Sequence, residues 1–145
     1  MEIATIESLI SHWKKSNVYS PSKEPFLLDY RLGNKGIKLP EDFKYLYQFV
    51  GGTTDLDDEM FFFFAPDELT TMGAKFSLGN ADPFRDIVIF IDYMHASWWY
   101  GFRVTDDGYE IGIIPMENKF KVITNSLTDF INLYISDSEI LYDYE

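Results

Sequence analysis

The stretch from Asp86 to Pro115, DIVIFIDYMHASWWYGFRVTDDGYEIGIIP, constrains this chain more than any other. Ile87 to Ile91 is unbroken, apolar and mostly β-branched. Trp98, Tyr100, Phe102 and Val104 alternate onto one face, and Tyr109, Ile111 and Ile113 share a face beyond the Asp106-Asp107-Gly108 turn. The pattern predicts three consecutive antiparallel strands. In the first, Ile87, Ile89 and Ile91 point one way and Val88 and Phe90 the other, so both faces need cover and the strand is central. Gly101 and Gly112 leave gaps into which a ring or a neighbouring backbone can move. One side of the sheet is expected under helices, the other partly open and aromatic.

The rest of the chain supplies that cover. Ile3, Ile6, Leu9, Ile10 and Trp13 recur at helical spacing and predict a helix over residues 3–15, with Lys14 and Lys15 favouring its carbonyl end. Asn17 to Pro25 reads as loop, and Phe26 to Leu32 as a short helix or an irregular apolar segment. Pro40, Glu41 and Asp42 suit the first turn of a helix over residues 40–50, with Gly51 or Gly52 as its C-cap. Met60 to Phe64 contains four consecutive phenylalanines and reads as a strand buried on both faces, or on one face with a loop over the other. Helical turns are expected over residues 66–71, and loop from Gly73 to Phe84. Phe120 to Ile123 gives a last strand, and Ser126 caps a final helix carrying Leu127, Phe130, Ile131 and Tyr134. In the tail, Ile140 and Leu141 are expected to pack back, leaving Asp143 and Glu145 in water.

These elements give one α+β domain over residues 1–145. Its central sheet of four to six strands is antiparallel or mixed, flanked by N-terminal, middle and C-terminal helices. No repeat or linker divides the chain. Cysteine is absent, which excludes thiol catalysis and cysteine metal sites. The N-terminus lacks the basic and continuous apolar regions of a signal peptide, and no apolar run approaches the roughly 18 residues of a membrane span. A cytoplasmic protein is expected.

Charge narrows the partners. The formal net charge is -12, and it is unevenly spread: residues 1–50 carry seven Lys/Arg against six Asp/Glu, residues 51–145 five against eighteen. Such a field repels nucleic acid and anionic membranes and steers a basic protein inward. Solubility alone would also explain an acidic surface. The cluster Asp55, Asp57, Asp58 and Glu59 does not follow the calcium-loop pattern, because Met60 and Pro66 stand where that loop needs Gly and Glu. It reads as solvated loop charge or as a contact for a cationic partner, as do Asp106 and Asp107.

Chemistry has little to work with. Asp92, His95 and Ser97 contain the residue types of a hydrolytic triad, but they crowd one turn and read as local hydrogen bonding. Gly51-Gly52 lacks the Lys-Ser/Thr of a phosphate loop. No catalytic residue, metal or cofactor is expected. Alternation places Trp99 beside Arg103 on the face opposite Trp98, either in a second packing layer or as an exposed interface hot spot. Asp55, Asp57, Asp58, Glu59, Trp99, Arg103, Asp106 and Asp107 are therefore the candidate partner-binding residues, on a monomer or weak homodimer.

Leu39-Pro40-Glu41-Asp42-Phe43 running to Val50-Gly51-Gly52 resembles the LP-x-D/E-Y/F…NGG signature of the SMI1/KNR4 family, the SUKH superfamily, with Val50 where that family often has Asn. Phe90-Ile91-Asp92-Tyr93, Ser97 and Tyr100 are similar to its central strands. Ser126, Leu127, Phe130, Ile131 and Leu141-Tyr142 resemble its closing helix and tail. The resemblance implies an α+β fold without shared catalytic residues. Its bacterial members are largely immunity proteins that neutralise toxins, often nucleases, and its fungal members are regulators of cell-wall synthesis. The expectation is an immunity protein that blocks a basic toxin domain sterically and electrostatically. The alternatives are a regulatory or scaffold module of the same fold and, more remotely, an uncharacterised hydrolase.

Overall fold

A computed structural model describes all residues, Met1–Glu145. In chain order the elements are α1 (Ile3–Lys15), β1 (Tyr19–Pro21), α2 (Leu28–Gly33), α3 (Glu41–Tyr47), β2 (Val50–Thr53), β3 (Phe61–Phe63), β4 (Thr70–Thr71), α4 (Met72–Phe76), β5 (Val88–Tyr93), β6 (Trp98–Val104), β7 (Tyr109–Met116), β8 (Lys119–Thr124) and α5 (Leu127–Ile135). The fold is α+β. Six strands form an antiparallel sheet in the order β3-β5-β6-β7-β8, with β4 pairing β5 on the same side as β3. β1 and β2 make a separate two-stranded sheet. No helix is long and apolar enough to cross a membrane.

The three strands read from Asp86 to Pro115 are the middle of the sheet. Tyr93 pairs with Trp98 across the first turn, and Val104 with Tyr109 across the second. A register shift between Ile89 and Ile91 places Phe90 as an extra residue opposite the Gly101–Tyr100 step. This bulge corrects the expected alternation. Ile87 and Ile89 go to one face as predicted, whereas Ile91 joins Val88, Phe90 and Tyr93 in the main core.

That core lies between the sheet and α1, α3 and α5. Ile6, Leu9 and Trp13 of α1, Phe43 and Leu46 of α3, and Phe130, Ile131 and Tyr134 of α5 are all buried against it. Phe43 stacks on Phe102 with ring centroids 4.2 Å apart and meets Phe90 edge-on at 5.2 Å. Phe90 in turn lies 5.6 Å from Phe130. Aromatic pairs in these geometries add stabilisation beyond area burial. Ser126 caps α5, its Oγ accepting from the Asp129 amide at 3.2 Å. The phenylalanine run is fully buried on one face and partly on the other: Phe61 and Phe63 enter the core, while Phe62 and Phe64 are partly buried, Phe64 packing against both cores.

The second face of the sheet is not simply open. Residues 73–84, expected as loop, begin with α4, which is capped by Thr71 Oγ1 accepting from the Ala74 amide at 3.0 Å. Met72 packs there with Ile87, Ile89 and Ile114 in a smaller core. The β7–β8 half stays less covered. At Gly112 an added Cβ would lie 2.8 Å from the Phe120 ring, so the glycine makes room for an aromatic side chain on the sheet, as its spacing suggested.

Four further readings differ from expectation. Of residues 66–71, expected as helical turns, only Pro66–Glu68 makes one, and Thr70–Thr71 is strand β4. The middle helix ends at Tyr47, and Val50 to Thr53 is strand, so Gly51 and Gly52 are not a helix cap. Gly52 does take positive φ (+87°), because β2 presses onto the chain after β3: a Cβ there would lie 2.6 Å from the Phe63 carbonyl oxygen. The expected loop from Asn17 contains β1, paired to β2 and tied by Ser22 Oγ donating to the Tyr47 carbonyl at 2.6 Å. In the tail Leu141 is fully buried, but Ile140 is exposed. Both β1 and β2 are too short for period-two alternation to show.

Truncating Phe130 to Ala removes a buried ring at the junction of α5 and the sheet. It should cost about 3–5 kcal/mol in a urea melt, with the slope unchanged.

Candidate functional site

β6 spans about 20 Å and so separates two ends of the sheet. At one end lie the Tyr93–Trp98 turn, the 54–60 loop and the C-terminal tail. At the other lie the Asp106-Asp107 turn and the N-terminus of α5. Met94 N–H donates to the Met60 carbonyl at 2.9 Å, which fixes the 54–60 loop to the first end.

The eight candidate residues therefore do not form one patch. Asp55, Asp58 and Glu59 are exposed at the first end, and Asp106 and Asp107 at the far end. Trp99 and Arg103 share the sheet's second face as alternation required, yet each has its own intramolecular partner. The Trp99 ring is half-buried beneath α4, 5.3 Å from Phe76 and with Lys75 Nζ 5.0 Å above it. It belongs to the second packing layer and is not a freely exposed hot spot. Arg103 pairs with Glu110 at 3.3 Å and lies 5.1 Å over Phe120.

Asp57 is the clearest correction. Only 5% exposed, it is not loop charge offered to a partner. Its Oδ1 accepts from the Glu59 and Phe61 amides at 2.8 and 2.9 Å. Its Oδ2 accepts from the Tyr134 hydroxyl, which itself accepts from Trp13 Nε1 at 3.0 Å. The acidic run in the sequence thus hides one carboxylate that nucleates the loop, since charge-assisted bonds to backbone amides are the stronger kind. The sequence signal was available in the Asp57-x-Glu59-x-Phe61 spacing, which suits a carboxylate bonding amides two and four residues on.

The first end combines negative charge with aromatic surface. Asp58, Glu59, Asp137, Glu139, Asp143 and Glu145 are exposed there or in the adjoining tail, as are Met94, Ile140 and Tyr144. Tyr93 and Trp98 stack at 4.4 Å, and Trp98 and Tyr144 at 4.9 Å. The Tyr142 ring packs edge-on against Tyr93 and Phe61, and its hydroxyl donates to Asp137. Tyr100 OH donates to the Leu141 carbonyl at 2.5 Å and accepts from Trp98 Nε1 at 3.0 Å, anchoring the tail. Lys121 holds Asp143 at 2.7 Å, and its hydrogen bond and charge keep that carboxyl below the usual carboxylate range. Burial pushes the Tyr93 hydroxyl up, and the charges of Asp137, Glu59 and Asp57 push it further. The sequence pattern gave the strands of this end, but not the tail's place on them.

The geometry for covalent chemistry is poor. Asp92 Oδ1 accepts from the Ala96 amide at 2.8 Å and Ser97 Oγ donates to the Met94 carbonyl at 2.8 Å, so both bond the turn and neither bonds the other or His95. His12 lies edge-on to Tyr134 at 5.1 Å. No three His, Asp or Glu side chains converge to hold a metal ion. The largest concavity, about 750 Å³, is at the far end and wide open. Its Tyr109 hydroxyl already donates to Asp42 at 2.5 Å and accepts from the Leu127 amide at 2.7 Å.

No family model, curated protein or solved structure matches this chain.

Two measurements check the buried network. Asp57→Ala leaves the Tyr134 hydroxyl and two amides without their acceptor and should cost about 3 kcal/mol; a solvated surface charge would cost within about 0.5 kcal/mol. The second concerns pH. Burial first, with the Asp57 charge and hydrogen bond second, raises the Tyr134 hydroxyl, and burial likewise raises Tyr47, Tyr100, Tyr109 and Tyr142. The folded chain then keeps protons that the unfolded chain releases above about pH 10, so stability is full below that pH and falls as pH rises beyond it. In an alkaline titration most tyrosinate absorbance from these residues should appear together with unfolding, and stepwise titration of an intact fold would contradict the assignment.

Proposed function

We propose that this chain is a non-enzymatic binding protein of the immunity type, acting in the cytoplasm, which blocks a basic toxin domain by occupying its cationic surface. The observation that carries the reading is the first end of the sheet. Seven exposed carboxylates, of Asp55, Asp58, Glu59, Asp137, Glu139, Asp143 and Glu145, lie at this end or in the adjoining tail together with Met94, Trp98, Ile140 and Tyr144, and the polar groups of the nearby turn are used up in local hydrogen bonds. Aromatic and methionine side chains within a charged rim are the composition of a protein interface. A fixed negative field of this kind accelerates encounter with a cationic protein and orients it.

The resemblance to the SMI1/KNR4 family supports the same reading. Its signature residues in this chain serve architecture: Leu39 and Phe43 are buried, Pro40 precedes α3, and Gly52 makes the close approach of β2. Such a division leaves the surface free to vary with the partner. Asp55, Asp58 and Glu59 belong to the proposed contact. Asp106 and Asp107, about 20 Å away along β6, contribute to the long-range field.

The test is to search the genes beside this chain's own for a secreted protein with a toxic domain, whose absence would count against the immunity reading, and to mix that purified domain with the chain. A stable complex should form, with an association rate that falls as salt is raised. The variant Asp58→Lys/Glu59→Lys/Glu139→Lys, at exposed carboxylates with no ion-pair partner, should associate at least about tenfold more slowly at low salt while melting as the wild type does. An unchanged rate would remove this end from the interface. Failure of the wild type to bind that domain or to protect against it would overturn the immunity reading.

A further inference from the structure

Three rings at the acidic end form a continuous stack. Tyr93 and Trp98 are cross-strand neighbours on β5 and β6, so the register itself makes the first step, with centroids 4.4 Å apart and planes inclined by 15°. The tail supplies the third ring: Tyr144 lies 4.9 Å from Trp98 at 27°. Tyr144 is 47% exposed, so the outer layer of the stack faces water.

Elsewhere this chain covers ring faces with its own cations. Lys14 lies 5.5 Å over Tyr19, Lys75 5.0 Å over Trp99, and Arg103 5.1 Å over Phe120. Tyr144 has no such cover. The two lysines that reach the tail are held elsewhere, Lys121 by the Asp143 carboxylate at 2.7 Å and Lys119 by the Glu145 carbonyl at 2.9 Å. Lys121 offsets the charge of Asp143, but the uncapped ring stands at the acidic end of the sheet, where the exposed Asp58, Glu59, Asp137 and Glu139 make no salt bridge, so the face of its π-system and the surrounding charge attract a cation together.

We propose that Tyr144 receives an arginine side chain of the cationic partner, its guanidinium stacking as the fourth layer on Trp98 and Tyr93. The proposal rests on the protein-binding reading above and names the side chain that this end selects. A guanidinium is planar and weakly hydrated, and therefore continues a stack of flat rings. An ammonium feels the same carboxylates but is compact and strongly hydrated, so it gains little from the ring.

The test compares two synthetic probes on the intact chain at low salt: equal-length peptides alternating glycine with either arginine or lysine, of equal charge. Binding is followed by Trp fluorescence and by NMR shifts of the Trp98 and Tyr144 rings. The arginine peptide should bind about 2- to 5-fold more tightly, the range of an exposed cation–π contact. Tyr144→Leu should abolish that preference and leave the lysine peptide's affinity unchanged, while Tyr144→Phe should keep it. Thermal melts and the Trp98 shifts of both variants check that the tail stays docked. Equal affinity for the two peptides, or a preference that survives Tyr144→Leu, would overturn the proposal and leave the protein-binding reading intact. Failure of both peptides to bind would overturn it too, whereas the fate of the wider reading is decided separately by the toxin-domain complex.

Discussion

Everything in this fold follows from one strand that must be covered on both sides. β5 carries Val88, Phe90, Ile91 and Tyr93 into one core and is preceded by Ile87 and followed within the strand by Ile89 in the other. A strand with apolar residues on both faces cannot lie at the surface of a half-open sheet, so it has to sit between two layers. The larger layer is made by α1, α3 and α5. The smaller one is made by α4 and the turn that follows it. The bulge at Phe90 adjusts the balance by sending two consecutive residues, Phe90 and Ile91, to the larger side, where the aromatic rings of Phe43, Phe102 and Phe130 receive Phe90.

The buried Asp57 shows a different kind of constraint. A carboxylate removed from water is costly unless donors replace its hydration, and here two backbone amides and the Tyr134 hydroxyl do so. Through Tyr134 and Trp13 the bond chain reaches from the 54–60 loop to α5 and α1, which are distant in sequence. The loop is therefore held by the same helices that close the core. Its remaining acids, Asp55, Asp58 and Glu59, are displayed on a fixed support, which lowers the ordering cost of binding a partner.

The tail extends that support. Leu141 is a core residue in its own right, and the Tyr100 bond to its carbonyl sets the height at which Tyr142 and Tyr144 meet the sheet. The acidic residues that follow each ring, Asp143 after Tyr142 and Glu145 after Tyr144, are thereby placed beside aromatic surface. Two features that are separate in sequence, a charge-rich loop and a charge-rich terminus, become neighbours because both dock on the same end of β5 and β6.

Much of this was legible from residue order alone. The period of two in β6 and β7, the turn at Asp106 to Gly108, helices α1 and α5 and the Ser126 cap follow from local rules that operate within a few residues. The acidic character of residues 51–145 and the absence of thiol chemistry are likewise properties of composition. Other features are long-range and leave no local trace. The bulge at Phe90, the pairing of β1 with β2, the burial of Asp57 and the covering of Trp99 by Phe76 each depend on what a distant segment brings within a few ångströms. A short strand has no period to display, and a carboxylate in an acidic run looks the same whether water or a tyrosine hydroxyl solvates it. The sequence determined which residues could be buried and which faces carried charge. Only the tertiary structure decided which of those charges met, because that depends on where the ends of strands and the tail converge in space.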